Sequence, residues 1–263
     1  MSPLRPPAVA YRRHPRTLAP PPFKEIAMSR HLPPSVLIIG FGAFGRLMAT
    51  HLAPHLTVAV CDPAAHHGST DLPVVQISGA GAFDIVVLAV PVPAFVGCLR
   101  QIAPHLRPGQ IVIDTCSIKQ EPAQLMQELL PPQVQLLGCH PLFGPQSART
   151  GLAGQRVVLC PLRGTGWRRI AAFLRHRLRL QIVLSSPEEH DRHAALTQGL
   201  THLLAHAMRE LAPHPKIRTR SFDLIMEGLG MVGQDAPEVF DAVTRGNPHM
   251  PALRQRLAQL LGD

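Results

Sequence analysis

SVLIIGFGAFG, at residues 35–45, joins a run of apolar and β-branched side chains to a G-x-G-x-x-G pattern, and a helical pattern follows over residues 46–52. This strand–turn–helix context is the one in which the glycine pattern binds a dinucleotide. Gly40 permits the tight turn, Gly42 lets the backbone approach a pyrophosphate, and Gly45 lets the helix pack against the strand. The pyrophosphate is expected at the helix N-terminus, where free N–H groups and the helix dipole favour an anion.

An acidic residue at the end of the next predicted strand indicates which dinucleotide is bound. Residues 58–62 read Val-Ala-Val-Cys-Asp, and Asp62 lies 22 positions after Gly40. An acid near this position hydrogen-bonds the ribose 2′-hydroxyl of NAD and repels the 2′-phosphate of NADP. We therefore expect NAD, with NADP as an alternative. The residues alone also allow a chance glycine turn beside an ordinary strand-end Asp62.

Composition narrows the class of protein. The chain has 263 residues, of which 46% are hydrophobic and 16% charged, so it can bury a core. The net charge is +9, but +5 of it lies in residues 1–34, and one Trp and one Tyr offer little for base stacking, which disfavours nucleic-acid binding. No apolar run reaches the roughly 18 residues that span a bilayer. We expect no membrane and no nucleic-acid partner.

Cysteine and histidine usage gives no sign of a disulfide framework or a metal site. The five cysteines are odd in number, and no two have C-x-x-C spacing. Free cysteines in predicted buried strands act as small hydrophobic residues, which fits a reducing, cytoplasmic setting.

The pattern along the chain divides it into three parts. Residues 1–34, rich in Pro and Arg, are expected to be a disordered leader. Residues 35–185 alternate seven short strand patterns with helical ones, and the fifth strand pattern ends at Gly138. This alternation predicts an α/β fold: a doubly wound, mostly parallel sheet of the Rossmann type. Residues 186–263 carry helical patterns and no strand signal, and the first pattern predicts one long helix from the Ser186 region to about Leu211. Because a helical domain this small and apolar needs a partner surface, we expect it to form a homodimer.

The strand predicted over residues 84–90 completes the expected cofactor site. It neighbours the first strand across the point where the strand order reverses, so its end should line the cofactor crevice. The predicted cofactor-binding residues are Gly40, Phe41, Gly42, Phe44, Gly45, Asp62, Val90, Pro91 and Ser117.

Two polar residues follow the next two strands of the predicted sheet. Ser117 stands in the segment DTCSIK at residues 114–119, and His140 stands in GCHPLFGP at residues 138–145. A dehydrogenase that oxidises an alcohol carbon needs a group to accept the hydroxyl proton, and neutral His suits that role. We expect His140 to be this base and Ser117 to hold the same hydroxyl. The alternatives are a structural histidine and a serine that caps the following helix.

These motifs together resemble one enzyme family. G-F-G-x-F-G at 40–45, D-x-x-S-I-K at 114–119, H-P-L-F-G-P at 140–145 and E-H-D at 189–191, followed by the helical His202, resemble the prephenate and arogenate dehydrogenases of tyrosine biosynthesis. The match covers roughly residues 35–245, and the short helical part is closer to plant-type and compact bacterial members.

The resemblance implies an oxidative decarboxylation of a small-molecule substrate, prephenate or arogenate. Hydride leaves the ring carbon that bears the hydroxyl, and the ring carboxylate leaves as CO2. His140 would take the hydroxyl proton, Ser117 would orient the hydroxyl and the nicotinamide, and His202 would bind substrate. His206, one turn after His202, is expected to pack on its helix face.

The chain departs from the family pattern at one position. Several bacterial members place a substrate-binding arginine on the second helix of the helical domain, and the corresponding position falls near Met231 here. Arg220 is the expected replacement by its resemblance to a basic residue of plant-type members. Arg218 and Arg149 are weaker candidates.

Two other functions remain open from the sequence. A β-hydroxyacid dehydrogenase would share the Rossmann half, but such enzymes commonly use a lysine on the helical domain. The lysines here are Lys24, Lys119 and Lys216, none of them in the middle of a predicted helix of that domain. A non-catalytic NAD-binding protein is the second alternative.

Overall fold

The computed structural model describes residues 34–65, 70–211, 214–233 and 235–262, and its centre is a seven-stranded sheet. The strands are β1 (Ser35–Ile39), β2 (Thr57–Cys61), β3 (Ile85–Leu88), β4 (Ile111–Asp114), β5 (Gln135–Pro141), β6 (Arg156–Arg163) and β7 (Gln181–Leu184). Their order in the sheet is β2-β1-β3-β4-β5-β6-β7. All neighbouring pairs are parallel except β5 and β6, which run antiparallel. The predicted doubly wound α/β fold is confirmed.

Helices cover both faces of this sheet. The α-helices of the described residues are α1 (Ala43–Leu52), α2 (Val92–Ile102), α3 (Gln120–Leu129), α4 (Trp167–His176), α5 (Pro187–Ala194), α6 (Leu200–Leu211), α7 (Arg220–Val232), α8 (Pro237–Asp241) and α9 (Met250–Gly262). Val36 and Ile38 of β1 face a core shared with α1 and α4, whereas Leu37 and Ile39 face a core shared with α2 and α3. Successive strand side chains point to opposite faces, so a strand buried on both sides is apolar throughout.

The register of the parallel strands aligns their carboxyl ends. Ile39 pairs with Cys61 on one side and with Leu88 on the other, Leu88 pairs with Asp114, and Asp114 pairs with Gly138. Ligands of open α/β sheets bind beyond this edge. The segments that follow these five residues contain every site residue predicted in the sheet region, so the fold brings them to one edge.

His140 lies within β5 and not in the loop where the sequence pattern put it. The strand was predicted to end at Gly138, but β5 continues to Pro141. The reason is its antiparallel partner: His140 pairs with Val158 of β6, and Cys139 pairs with Leu159. His140 is thereby held in the sheet on a hydrogen-bonded strand.

The helical part differs from expectation in one respect. One long helix was predicted from the Ser186 region to about Leu211, but a π-helical turn at Ala195–Gly199 separates α5 from α6. Threonine hydroxyls bond to the backbone around this turn: Thr197 donates to the His193 carbonyl and Thr201 to the Thr197 carbonyl. A second π turn, Ala242–Gly246, follows α8.

The division into a leader, a dinucleotide-binding domain at 35–185 and a helical domain at 186–263 stays a prediction. The leader falls outside the described residues except for Pro34, and residues 33–263 form one compact unit by their contacts. Among the described residues, no helix has the length and apolar character needed to cross a bilayer.

Candidate active site

The glycine turn after β1 has the shape that the sequence predicts. Gly40 has φ of +98°, and a Cβ there would overlap the Ala89 carbonyl oxygen. A Cβ on Gly45 would overlap the Gly40 carbonyl, so this glycine lets α1 pack against the turn. A Cβ on Gly42, by contrast, would meet nothing within 4 Å. The N-terminus of α1 is therefore open on the side where a pyrophosphate would approach.

Asp62 lies beside this turn, as predicted. Its Oδ2 accepts a hydrogen bond from the Phe41 backbone amide at 2.6 Å, and its Oδ1 accepts one from the Ala64 amide at 2.8 Å. A carboxylate oxygen has two lone pairs, so each oxygen keeps one for a ribose hydroxyl. The Arg46 guanidinium lies 4.4 Å from the centre of the Phe41 ring.

Two aromatic rings link the glycine turn to the segment after β5. The ring centroids of Phe44 and Phe143 are 6.5 Å apart and the ring planes are tilted by 48°. Val90 and Pro91 follow β3, and the Val90 amide lies 3.2 Å from where a Gly40 Cβ would stand. The residues predicted to line the cofactor crevice thus stand around one turn.

His140 is buried and is the first member of a hydrogen-bonded chain. Its Nδ1 lies 2.8 Å from Nε2 of His190 on α5, and Nδ1 of His190 lies 2.7 Å from Oδ1 of Asp191. Burial above all, with the nearby Lys119 charge adding to it, lowers the pKa of His140 well below its ordinary value. His140 is consequently neutral at physiological pH, as a proton acceptor must be.

Asp191 also caps α3 from a distant part of the chain. Its carboxylate accepts hydrogen bonds from the backbone amides of Lys119 at 2.7 Å and Gln120 at 2.9 Å. The alternative reading of Ser117 as the cap of this helix is therefore wrong, because a carboxylate on α5 supplies the acceptor. Within the described residues the half-buried Ser117 hydroxyl has no hydrogen-bond partner. It is free to bind a ligand.

A buried ion pair lies near His140. Lys119 and Asp114, both fully buried, are joined through Nζ and Oδ1. Burial is the largest influence on both groups: it raises the pKa of Asp114, and it opposes the charge on Lys119. The pKa of Lys119 nevertheless lies above its ordinary value, because Asp114 and other nearby groups together favour the charge. A Cβ on Gly138 would lie 3.3 Å from both Asp114 Oδ2 and Lys119 Cδ, so the absence of a side chain there makes room for the pair.

His202 is buried on α6 and contacts two oxygen acceptors. Its Nδ1 lies 2.9 Å from the Gln198 carbonyl, and its Nε2 lies 3.0 Å from Oδ2 of Asp235. A neutral ring donates to only one of these oxygens, whereas a protonated ring donates to both. Among the described residues, no hydrogen bond or ring contact joins His202 to His140. His206 packs against Phe240, with ring centroids 5.3 Å apart.

The candidate arginines lie at the surface. Arg220 is exposed in the first turn of α7, where Thr219 forms the N-cap. Arg218 forms an ion pair with Asp223 at 2.6 Å, which makes it a poorer candidate. In the part of the chain that the structure describes, the side chains of Arg220 and Arg149 have no polar partner.

Sequence reasoning missed the partners of its own site residues. Asp114 and Lys119 bound the motif that was singled out for Ser117, and His190 and Asp191 belong to the E-H-D motif that was used only for the resemblance. The acid and the base at the two ends of 114–119 were the available signal. Among the described residues no group of three or more His, Cys, Asp or Glu side chains could hold a metal ion.

Comparison with known proteins adds an independent line. A family model described as the nucleotide-binding domain of prephenate dehydrogenase matches residues 59–185. A probable arogenate/prephenate dehydrogenase of Methanocaldococcus jannaschii is 28% identical over 192 residues, which are 68% of this chain and 42% of that protein. These similarities support the predicted resemblance to the prephenate and arogenate dehydrogenases.

A curated relative and a solved structure cover more of the chain. A 4-amino-4-deoxyprephenate dehydrogenase of Streptomyces pristinaespiralis is 28% identical over 250 residues, which are 85% of this chain and 81% of that protein. The crystal structure of Aquifex aeolicus prephenate dehydrogenase has a TM-score of 0.67 at 20% identity and covers 91% of this chain and 90% of that one. The structural likeness supports the fold. The chain spans less than half the length of the Methanocaldococcus relative.

Proposed function

We propose that this protein catalyses the NAD-dependent oxidative decarboxylation of a prephenate-type cyclohexadiene. The observation that carries the proposal is the position of a buried, neutral His140 at the same sheet edge as the glycine turn and Asp62. Similarity to the nucleotide-binding domain of prephenate dehydrogenase supports the reaction class. The product would be an aromatic ring with a pyruvate or an alanine side chain.

The residues around the turn suit a nicotinamide dinucleotide. Open space at Gly42 admits a pyrophosphate, and Asp62 keeps one lone pair on each oxygen for the adenosine ribose. The Aquifex structure contains NAD+ together with hydroxyphenyl propionate, which supports NAD for this chain as well. When bound, the nicotinamide accepts a hydride from the substrate.

His140 would accept the proton of the ring hydroxyl as the carbon–hydrogen bond breaks. The ring carboxylate leaves as CO2, its bonding electrons complete the aromatic ring, and the proton returns from His140 to the phenol oxygen. No net proton is released. The unpartnered Ser117 hydroxyl would donate to the same oxygen and hold it in place.

His202 would bind a carboxylate of the substrate. Asp235, whose side chain is 41% exposed, contacts its Nε2 and would yield that nitrogen to the substrate. Arg220, which is exposed and without a polar partner among the described residues, would supply the second cation. If so, Asp235→Asn should lower the KM for substrate, and Arg220→Gln should raise it with little change in kcat.

The decisive assay measures NADH formation with three substrates: prephenate, arogenate and 4-amino-4-deoxyprephenate. The third is included because of the Streptomyces relative. His140→Asn should lower kcat by about 10²- to 10⁴-fold, the usual contribution of a general base. The proposal is wrong if no substrate yields NADH or NADPH, or if His140→Asn keeps the wild-type rate. His193→Asn, an exposed histidine of α5, is the matched control.

The preference for NAD depends on Asp62. Because its carboxylate would repel a 2′-phosphate, wild type should have the higher kcat/KM with NAD. Asp62→Ser should narrow the ratio of kcat/KM for NAD over NADP by at least about tenfold, which corresponds to about 1.4 kcal/mol. An unchanged ratio would remove Asp62 from the cofactor assignment.

A homodimer through the helical part is also proposed. Nine of the twelve large hydrophobic side chains that the described residues expose lie in residues 187–262, and α7 buries none of its residues. A second copy is the simplest cover for so much apolar surface. Light scattering should give twice the chain mass, and Leu224→Glu with Ile225→Glu should halve it, whereas Val183→Glu on β7 should not.

The cysteines favour a reducing, cytoplasmic location. All five are free, and four are buried. Fractionation of cells that express the full chain would test this proposal, because recovery in a membrane-enclosed oxidising compartment contradicts it.

A further inference from the structure

The three side chains His140, His190 and Asp191 form a hydrogen-bonded chain whose proton positions can be deduced. Asp191 is fully buried and accepts two backbone amides, which can only donate. Its Oδ1 also faces Nδ1 of His190 at 2.7 Å. Because two backbone amides already donate to the two oxygens, Asp191 acts as an ionised acceptor. The proton between Oδ1 and the ring therefore belongs to Nδ1 of His190.

With His190 neutral, that assignment also fixes the proton on the other ring. A neutral His190 with its proton on Nδ1 presents a bare Nε2, and this atom lies 2.8 Å from Nδ1 of His140. His140 must then donate from Nδ1, because two bare nitrogens cannot hydrogen-bond. The proton acceptor of His140 is therefore Nε2, which has no partner among the described residues.

We propose that His190 and Asp191 are positioning residues that hold His140 in the Nδ1–H tautomer and aim its bare Nε2 at the substrate hydroxyl. A buried carboxylate orients catalytic histidines by the same logic elsewhere, although here a second imidazole stands between the two groups. Part of the inference rests on the proposed function, since the substrate hydroxyl belongs to it. The tautomer itself does not.

Asp191 also ties this chain to the helical part. The same carboxylate caps α3, and its backbone carbonyl accepts a hydrogen bond from the Asn247 side chain at 2.7 Å. Asn247 is fully buried after the second π turn. The position of His140 is thereby set by contacts from α5 and from the segment before α9, so its alignment depends on how the helices pack on the sheet edge.

The tautomer can be read directly by NMR. Full-length protein labelled with ¹⁵N-histidine gives long-range ¹H–¹⁵N correlations in which protonated and bare ring nitrogens are well separated, and loss of signals in His140→Gln identifies His140. We expect Nδ1 protonated and Nε2 bare in wild type. A proton on Nε2 of His140, as a cationic His190 would impose, overturns the proposal whatever the activity.

Two substitutions of His190 separate positioning from folding. His190→Asn keeps an amide near Asp191 but places no acceptor at the Nε2 position, so His140 should populate both tautomers and kcat should fall at least about tenfold with KM little changed. His190→Gln places an amide oxygen near that position and should recover part of kcat and the Nδ1–H tautomer. His193→Asn should match wild type in both readouts.

The outcomes distinguish this inference from the proposed function. If wild type has the expected tautomer and no substrate is turned over, the tautomer assignment stands and the proposed function fails. If substrate is turned over but His190→Asn keeps both tautomer and kcat with a native melting temperature, the positioning role fails. If His190→Asn does not fold, the wild-type spectrum and His190→Gln decide.

Discussion

The ring of Phe44, in the glycine turn, lies 6.5 Å from the ring of Phe143, three residues after His140. The contact joins the segment expected to bind the cofactor to the one expected to carry the base. A tilted aromatic pair is worth about 0.5–1.5 kcal/mol beyond its buried area. The spacing between hydride donor and acceptor in the proposed reaction thus depends partly on this pair.

Phe44→Leu and Phe143→Leu should each raise the Kd for NAD by about two- to tenfold and lower kcat, because either change removes the same contact. The double variant should be less impaired than the product of the single effects. Titration calorimetry with NAD measures the coupling energy. Phe173→Leu, which alters the edge contact of α4 with His55, should leave NAD binding unchanged. Additive single effects would mean that the two rings act independently.

Substitutions of two glycines in the turn should separate folding from binding. Gly40→Ala places a side chain at positive φ and against the Ala89 carbonyl, so it should destabilise the fold by at least about 1–3 kcal/mol. Gly42→Ala meets no atom within 4 Å and should cost no more than about 1 kcal/mol. It should nevertheless raise the Kd for NAD by at least about tenfold, because the new methyl stands where the pyrophosphate approaches.

Urea denaturation and NAD titration of the two glycine variants provide the measurements. A Gly42→Ala protein that binds NAD as wild type does would exclude the N-terminus of α1 as the pyrophosphate site. A Gly40→Ala protein as stable as wild type would contradict the backbone geometry of the turn.

Local pattern was sufficient for most of the sheet. Each of the seven strands was predicted because residues such as Val36 to Ile39 must be apolar when helices cover both faces, and parallel order then brings the strand ends together. The place of Asp62 beside the glycine turn followed from the same reasoning. These features depend on short stretches of sequence and on the rule that the carboxyl ends of parallel strands meet at one edge of the sheet.

Contacts between distant segments account for what the sequence did not predict. A helix cap was the alternative role for Ser117, but Asp191, 72 residues after Lys119, provides that cap. The π turn before α6 has no local signal; a Cβ on Gly199 would contact the Met250 sulfur of α9 at 2.5 Å, so tertiary packing decides there. His190 could be seen in its motif, but its partner His140 lies 50 residues earlier.

The lowered pKa of His140 should make stability depend on pH. A histidine in the unfolded chain has a pKa near 6.5. As the pH falls through this value, the unfolded chain binds a proton that the folded chain does not. Between the folded and unfolded pKa values the unfolded state holds more protons, so stability rises with pH. Above about pH 6.5, His140 is neutral in both states and costs no stability. Below that pH, the free energy of unfolding falls by up to about 1.4 kcal/mol per pH unit.

Urea unfolding of wild type and His140→Gln between pH 5 and 8 measures that contribution as a difference in slope. The variant should lose less stability than wild type on acidification, because glutamine does not titrate. His193→Asn, in which an exposed histidine is replaced, should keep the wild-type slope. Parallel curves for wild type and His140→Gln would show that His140 binds its proton equally well in both states.

The buried pair of Lys119 and Asp114 should be costly to break and inexpensive to replace. Lys119→Met leaves Asp114 without its cation in a fully buried site, where the carboxyl must either stay charged or take up a proton, so the free energy of unfolding should fall by up to about 3–5 kcal/mol. The double variant Lys119→Met with Asp114→Leu removes both charges and should recover at least half of that loss. Lys216→Met, in an exposed loop, should change stability by less than about 0.5 kcal/mol. If the double variant is less stable than Lys119→Met alone, Asp114 acts mainly through its hydrogen bond to the Cys116 amide rather than through its charge, and the ion pair is secondary.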